Sequence, residues 1–204
     1  MKLKFCGFRC REDIEKALKF DLDYLGIVFA KSKRQVGRAQ AKEMINGLDF
    51  GSVKLVGVFM DQGIGEILEI AEDVGLDIIQ LHGSESFEYI MELRSKFKDD
   101  VWKALPGSDE FLIDFNEMPA DLILIDSTKG GGSGEVADWE LIAKYQDNFN
   151  KPYLLAGGLR IDNIYTALET VKPFGIDISS GIEIDGYKSY DLMREISRMV
   201  KKNG

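Results

Sequence analysis

Two textures of apolar residues alternate along the chain. Unbroken apolar runs rich in β-branched and aromatic residues recur at regular spacing: LKFCGF (3–8), YLGIVFA (24–30), VKLVGVFM (53–60), LDIIQLHG (76–83), DVWKAL (100–105), DLILIDST (121–128), PYLLAGG (152–158) and GIDISSG (175–181). Each is bounded by Gly, Pro or charge, as strands buried on both faces of a parallel sheet are. Between them lie segments with helical spacing. REDIEKALKF places Ile14, Ala17 and Leu18 on one face, and GEILEIAEDVG places Ile67, Leu68, Ala71 and Val74 together before stopping at Gly75. SESFEYIMELRSKF offers Phe87, Ile90, Met91 and Phe97 behind a Ser84 or Ser86 cap. IDNIYTALETV offers Ile164, Ala167, Leu168 and Val171 behind Asp162, and SYDLMREISRMVK turns Leu192, Ile196, Met199 and Val200 inward.

Eight strand-then-helix units predict a parallel α/β sheet. Held within 204 residues, with no linker, low-complexity tract or charge block, they predict a single (β/α)8 barrel domain over 1–204, close to the minimum size of that fold. The alternative is a doubly wound open sheet, which usually has fewer strands. The fifth helix is the weakest unit, because PGSDEFLIDFNEMP is short and punctuated by Pro106 and Pro119.

Composition narrows the function. Asp and Glu outnumber Lys and Arg, 35 to 26, for a formal charge of -9, which opposes non-specific nucleic-acid binding. An anionic small molecule is not excluded, since a site feels mostly the charges within a Debye length of roughly 8 Å. No run approaches the roughly 20 apolar residues that span a bilayer, and MKLKFCGFRCRED lacks the apolar stretch of a signal peptide. A cytoplasmic protein is expected. Two cysteines four apart, Cys6 and Cys10, make a poor disulfide framework. With His82 the only histidine, a zinc site would need carboxylates gathered from elsewhere. Cys10 reads as a bystander in the first helix. Phe50 and Phe174 are candidate exposed apolar residues, and monomer and homodimer both remain open.

In a barrel, chemistry collects where strands end and βα loops begin. Cys6-Gly7 ends the first run, KSKR (31–34) follows the second, and Gln80 and His82 end the fourth. Asp126 ends the sixth and precedes KGGGSG, while AGG (156–158) and SSG (179–181) end the last two. Glycines let backbone N–H groups approach a ligand, and the loops after strands seven and eight are a frequent phosphate site. Gly157, Gly158, Ser180 and Gly181 are therefore phosphate candidates rather than only turn formers. Asp126 closes a strongly apolar strand. It either orders the glycine-rich loop or serves as a general acid or base, with a pKa raised by an apolar wall. The glycine-rich loop itself either closes over a ligand or is an ordinary surface loop. Arg34 either sits in a solvated basic turn or clamps a carboxylate with its planar fork. His82 reads as a strand-end residue satisfied by a backbone bond or as a catalyst, and Cys6 as core packing or as a group facing substrate.

The set KFCGF, LGIVFAKSKRQV, VGVFM, IIQLHG, LIDSTKGGGSGEVADW, LLAGGL and DISSGIE, in that order over nearly the whole chain, resembles the phosphoribosylanthranilate isomerase family of tryptophan biosynthesis. The resemblance implies a (β/α)8 barrel and an Amadori rearrangement of N-(5-phosphoribosyl)anthranilate, an aminoaldose, to an aminoketose, with no cofactor or metal. It implies Cys6 as general base, Asp126 as general acid and Arg34 on the anthranilate carboxylate. His82 falls among the substrate-binding positions, and Gly157, Gly158, Ser180 and Gly181 match the phosphate loops. Two positions depart from the family pattern: Arg9 and Ser127 both stand where threonine is commoner. The rival readings are another phosphosugar enzyme on the same barrel, which would not need Cys6, and a non-catalytic phosphate-binding barrel.

Overall fold

The computed structural model describes residues 1–127 and 136–202. Eight parallel strands close on themselves in chain order: β1 (Lys2–Cys6), β2 (Tyr24–Val28), β3 (Lys54–Phe59), β4 (Ile78–Leu81), β5 (Asp100–Pro106), β6 (Leu122–Asp126), β7 (Tyr153–Leu155) and β8 (Gly175–Ile178). Helices α1 (Arg11–Ala17), α2 (Arg38–Ile45), α3 (Ile64–Val74), α4 (Phe87–Lys96), α5 (Asp109–Leu112), α6 (Trp139–Tyr145), α7 (Ile164–Thr170) and α8 (Tyr190–Lys202) follow the strands in turn. The periodicity thus settles on the closed barrel, not the open sheet. The expected weak fifth helix is a single four-residue turn. A 3-10 turn (Ser180–Ile182) and a small hairpin, β9 (Glu183–Ile184) with β10 (Tyr187–Lys188), stand between β8 and α8, where the hydrophobic pattern shows no strand.

Strand side chains alternate between two compartments. Leu3 and Phe5 of β1, Leu25 and Ile27 of β2 and Ile123 and Ile125 of β6 point outward, into the large core shared with the helices. Val56, Ile78, Trp102, Leu122, Leu124 and Leu154 point inward and plug one half of the barrel, where Tyr24 meets Trp102 edge-on with ring centroids 4.8 Å apart. Closure pairs β1 with β8, in the register Lys4 to Asp177, and β1 with β2, in the register Cys6 to Gly26. The other half of the interior sets polar side chains such as Cys6, Gln80 and Asp126 among apolar ones such as Val28 and Val58. Among the described residues no helix is long and apolar enough to cross a membrane.

Three details of this reading change, and one alternative is decided. In α4 the buried stripe is Ile90 and Leu93, while Phe87 and Met91 are exposed. Leu93 and Phe97 lie on one side of Ile90 around the helix, and Met91 and Phe87 fall on the other. The cap of α4 is Ser86, whose hydroxyl accepts the Tyr89 N–H at 3.3 Å. Asn163, not Asp162, precedes α7, and its amide ties back to Gly158 O. Of the two phenylalanines read as exposed, Phe174 is, whereas Phe50 packs against the core.

Candidate active site

The strand ends open into a cavity of about 510 Å³. Cys6, Arg34, His82, Asp126, Gly157, Gly158 and Ser180 line it, but Gly181 does not. Gly181 is buried in the 3-10 turn, where a Cβ would sit 2.0 Å from the Leu159 carbonyl oxygen. It lets the loops after β7 and β8 touch. The glycine-rich loop, 129–134, read either as closing over a ligand or as an ordinary surface loop, lies outside the described residues.

Cys6 ends β1 and faces inward, two positions after Lys4. It is both buried and cavity-lining, 6% exposed, so packing and facing a ligand are not alternatives here. Opposite it β2 carries Gly26, where a Cβ would lie 2.5 Å from Cys6 Sγ. The room for the thiol is therefore encoded on the neighbouring strand. Burial pushes the thiol above its ordinary value; Lys4 and Lys188 oppose that rise, and Asp177 adds to it. The Cys6 carbonyl accepts from Lys188 Nζ at 2.6 Å and from the Ser179 hydroxyl at 3.0 Å, which anchors the strand end. Arg9 takes no part in this. Its guanidinium donates to the Lys33 and Gly186 carbonyls and lies over the Tyr187 ring. Cys10 precedes α1 rather than lying in it, and both cysteines are free.

Asp126 ends β6. Its Oδ1 accepts the Ser127 N–H at 2.7 Å, and its Oδ2 lies 3.2 Å from His82 Nε2. The other ring nitrogen of His82, Nδ1, lies 3.1 Å from Gln80 Nε2. With the Gln80 amide as donor, the ring proton sits on Nε2 and is donated to Asp126. The surroundings of Asp126 thus offer N–H donors to both oxygens, instead of the purely apolar wall its strand suggests. The backbone N–H of His82 donates to Phe59 O at 2.8 Å, while its ring, among the described residues, meets the Gln80 and Asp126 side chains. Gly157 crosses immediately beside this group with φ 82, where a side chain would lie 2.7 Å from Ser127 N. Its positive φ and this close approach both call for glycine.

Arg34 is buried and lines the cavity, yet two of its donors are taken. Nε and Nη2 each donate to the Glu183 carboxylate at 2.7 Å. Lys188 Nζ joins the same carboxylate at 2.8 Å. Although burial disfavours its charge, these two cations hold the Glu183 carboxyl down to about 2. Lys188, Glu183, Ser179 and Asp177 escaped sequence reasoning. For Asp177 the signal was present, because an acidic residue inside GIDISSG is the same kind of anomaly as Asp126 in LILIDST. Glu183 and Lys188 carried none, since in sequence they belong to an ordinary polar turn.

Known proteins match this architecture. A relative from Clostridium acetobutylicum named N-(5'-phosphoribosyl)anthranilate isomerase is 42% identical over 208 residues, covering 99% of this chain and 98% of its own. The crystal structure of phosphoribosyl anthranilate isomerase from Thermus thermophilus superposes with a TM-score of 0.88 at 30% identity, covering 100% of both chains. A phosphoribosyl anthranilate isomerase in complex with reduced 1-(o-carboxyphenylamino)-1-deoxyribulose 5-phosphate superposes with a TM-score of 0.85 at 31% identity, covering 99% of both. Residues 3–199 match the family described as N-(5'-phosphoribosyl)anthranilate (PRA) isomerase, and the chain belongs to that family.

Proposed function

We propose that the chain acts as a single barrel domain that isomerises N-(5-phosphoribosyl)anthranilate to 1-(2-carboxyphenylamino)-1-deoxyribulose 5-phosphate, a step of tryptophan biosynthesis. The observation that carries this reading is the lining of one cavity by both a thiol and a carboxyl, Cys6 from β1 and Asp126 from β6. The loops after β7 and β8, with Gly157, Gly158, Ser180 and the turn supported by Gly181, hold the phosphate. Arg34 takes the anthranilate carboxylate on the guanidinium edge that Glu183 leaves over. Both contacts lie away from the reacting carbons, and their binding energy orients the sugar.

Asp126 gives its proton to the ring oxygen as the C1′–O bond breaks, and the anthranilate nitrogen lone pair forms the C1′ iminium. The Cys6 thiolate then removes the C2′ proton, and those electrons neutralise the nitrogen. The resulting enolamine tautomerises to the ketone. His82, bonded to Asp126, orients the acid between these steps. We place the enzyme in the cytoplasm, in keeping with its membership of a biosynthetic enzyme family.

Loss of anthranilate fluorescence on adding phosphoribosylanthranilate tests the reading. Turnover is expected, and Cys6→Ser and Asp126→Asn should each lower kcat by about 10²–10⁴-fold, the usual worth of general acid–base catalysis. Wild-type rates in both variants would refute the assignment, and binding without turnover would favour a non-catalytic barrel.

A further inference from the structure

Lys4 lies wholly buried, one inward-facing layer below Cys6 on the same strand. Its Nζ donates to Asp177 Oδ2 at 3.0 Å, and the other oxygen, Asp177 Oδ1, is buried with no hydrogen-bond partner among the described residues. A lysine in a barrel interior is costly unless its charge is matched. The groups that face the Cys6 sulfur are Lys4 from its own strand, Asp177 from β8, Lys188 from the hairpin and Arg34 from the loop after β2. Glu183 pairs with the last two. His82 and Asp126 line the same mouth from the β4 and β6 ends, Lys31 and Lys33 line it from the loop after β2, and Gly26 of β2 stands opposite the thiol.

Three cations and two carboxylates make up the inner group, so it carries one excess positive charge. A thiolate on Cys6 brings it to neutrality, whereas a thiol leaves a buried cation unmatched. We propose that Lys4 is a positioning residue that acts through Cys6: held beneath the sulfur by Asp177, its ammonium supplies the charge that lets Cys6 exist as the thiolate base. Lys188 adds its charge from beside the sulfur, but its three donors are directed at Cys6 O, Ser179 O and Glu183, and Lys4 is the cation on the strand that carries the thiol. Burial works against the Lys4 ammonium, but Asp177 and Cys6 outweigh it and hold the ammonium above its ordinary value.

This rests on Cys6 being the general base, and the test separates the two ideas by titrating the thiol in the substrate-free enzyme. In a Cys10→Ser background, the rate of iodoacetamide alkylation at Cys6 is followed against pH. Lys4→Met should move the midpoint up by about one pH unit or more, Asp177→Asn should move it down, and Lys4→Arg should stay near wild type. At neutral pH the kcat/KM of Lys4→Met should fall at least about tenfold and recover as pH rises, which a purely structural lysine would not produce. If Lys4→Met does not fold, Lys4→Gln, which keeps a polar side chain without the charge, is read in its place with the same expected rise. An unmoved midpoint, or shifts of the same sign in both variants, overturns the role of Lys4. Shifted midpoints with unchanged activity uphold it and instead refute Cys6 as the base.

Discussion

The two walls that carry the candidate acid and base are built differently. On the β1/β8 wall the thiol sits among ions: Lys4 with Asp177 beneath it, and Lys188 and Arg34 sharing Glu183 beside it. On the β4/β6 wall the carboxyl is held by a row of hydrogen bonds, Gln80 to His82 to Asp126, with the Ser127 N–H on the remaining oxygen. The difference follows from the chemistry of the two groups. A free thiol has a pKa of about 8.5 and is driven further from ionisation by burial, so it needs cations nearby. A carboxyl has to be oriented, and a neutral imidazole can take up or release a hydrogen bond as the acid's proton leaves and returns.

If the thiol wall depends on charge and exact space, crowding it should do the most harm. Gly26→Ala places a methyl 2.5 Å from Cys6 Sγ. We expect kcat/KM to fall by about 10²-fold, the cost of a misplacement near 1 Å, with the fold retained by circular dichroism. Activity within threefold of wild type would mean that the thiol position is not critical.

Glu183→Gln strips the shared anion from Lys188 and Arg34. Because the folded-state Glu183 carboxyl is depressed from 4.5 to about 2, its contribution to stability is complete above pH 4.5 and fades as pH falls toward 2. Urea denaturation should show a loss on the order of 2–3 kcal/mol at neutral pH, with the gap to wild type closing through that acid window. A gap independent of pH would dissociate Glu183 from the ion group.

The smallest effect belongs to the other wall. Gln80→Leu removes the bond to His82 together with a buried amide oxygen, Gln80 Oε1, that has no partner among the described residues. A drop in kcat of about tenfold is expected from loss of orientation, with stability unchanged within about 1 kcal/mol, since an unsatisfied polar atom is lost as well. The alkylation midpoint of Cys6 should not move. If it does, the two walls are one coupled unit rather than two devices.

The barrel, its eight strands and the end of it that bears the chemistry were legible because buried parallel strands write themselves as unbroken apolar runs. Cys6, His82 and Asp126 stood out in turn as polar or reactive residues closing such runs. Arg34 was legible as a cation at a strand end, but its pairing with Glu183, 149 residues away, was not. That Gly181 packs against the Leu159 carbonyl was not legible, because glycine in a loop looks the same whether it meets a ligand or another backbone. In α4 the stripe was misread because Phe87 and Met91 are apolar without being inward, and a single sequence does not say which edge of a helix the sheet covers.

Local periodicity alone was enough to determine the order of strands and helices, the parallel sheet and the residues at the strand ends, since each depends on neighbours a few positions apart. Which side chains meet in the cavity was decided only by closing the sheet. That step brought β8 against β1, set Lys4 beside Asp177 and placed Gly26 across from Cys6. Long-range register, burial and charge balance arise between residues far apart in sequence, so no local pattern records them.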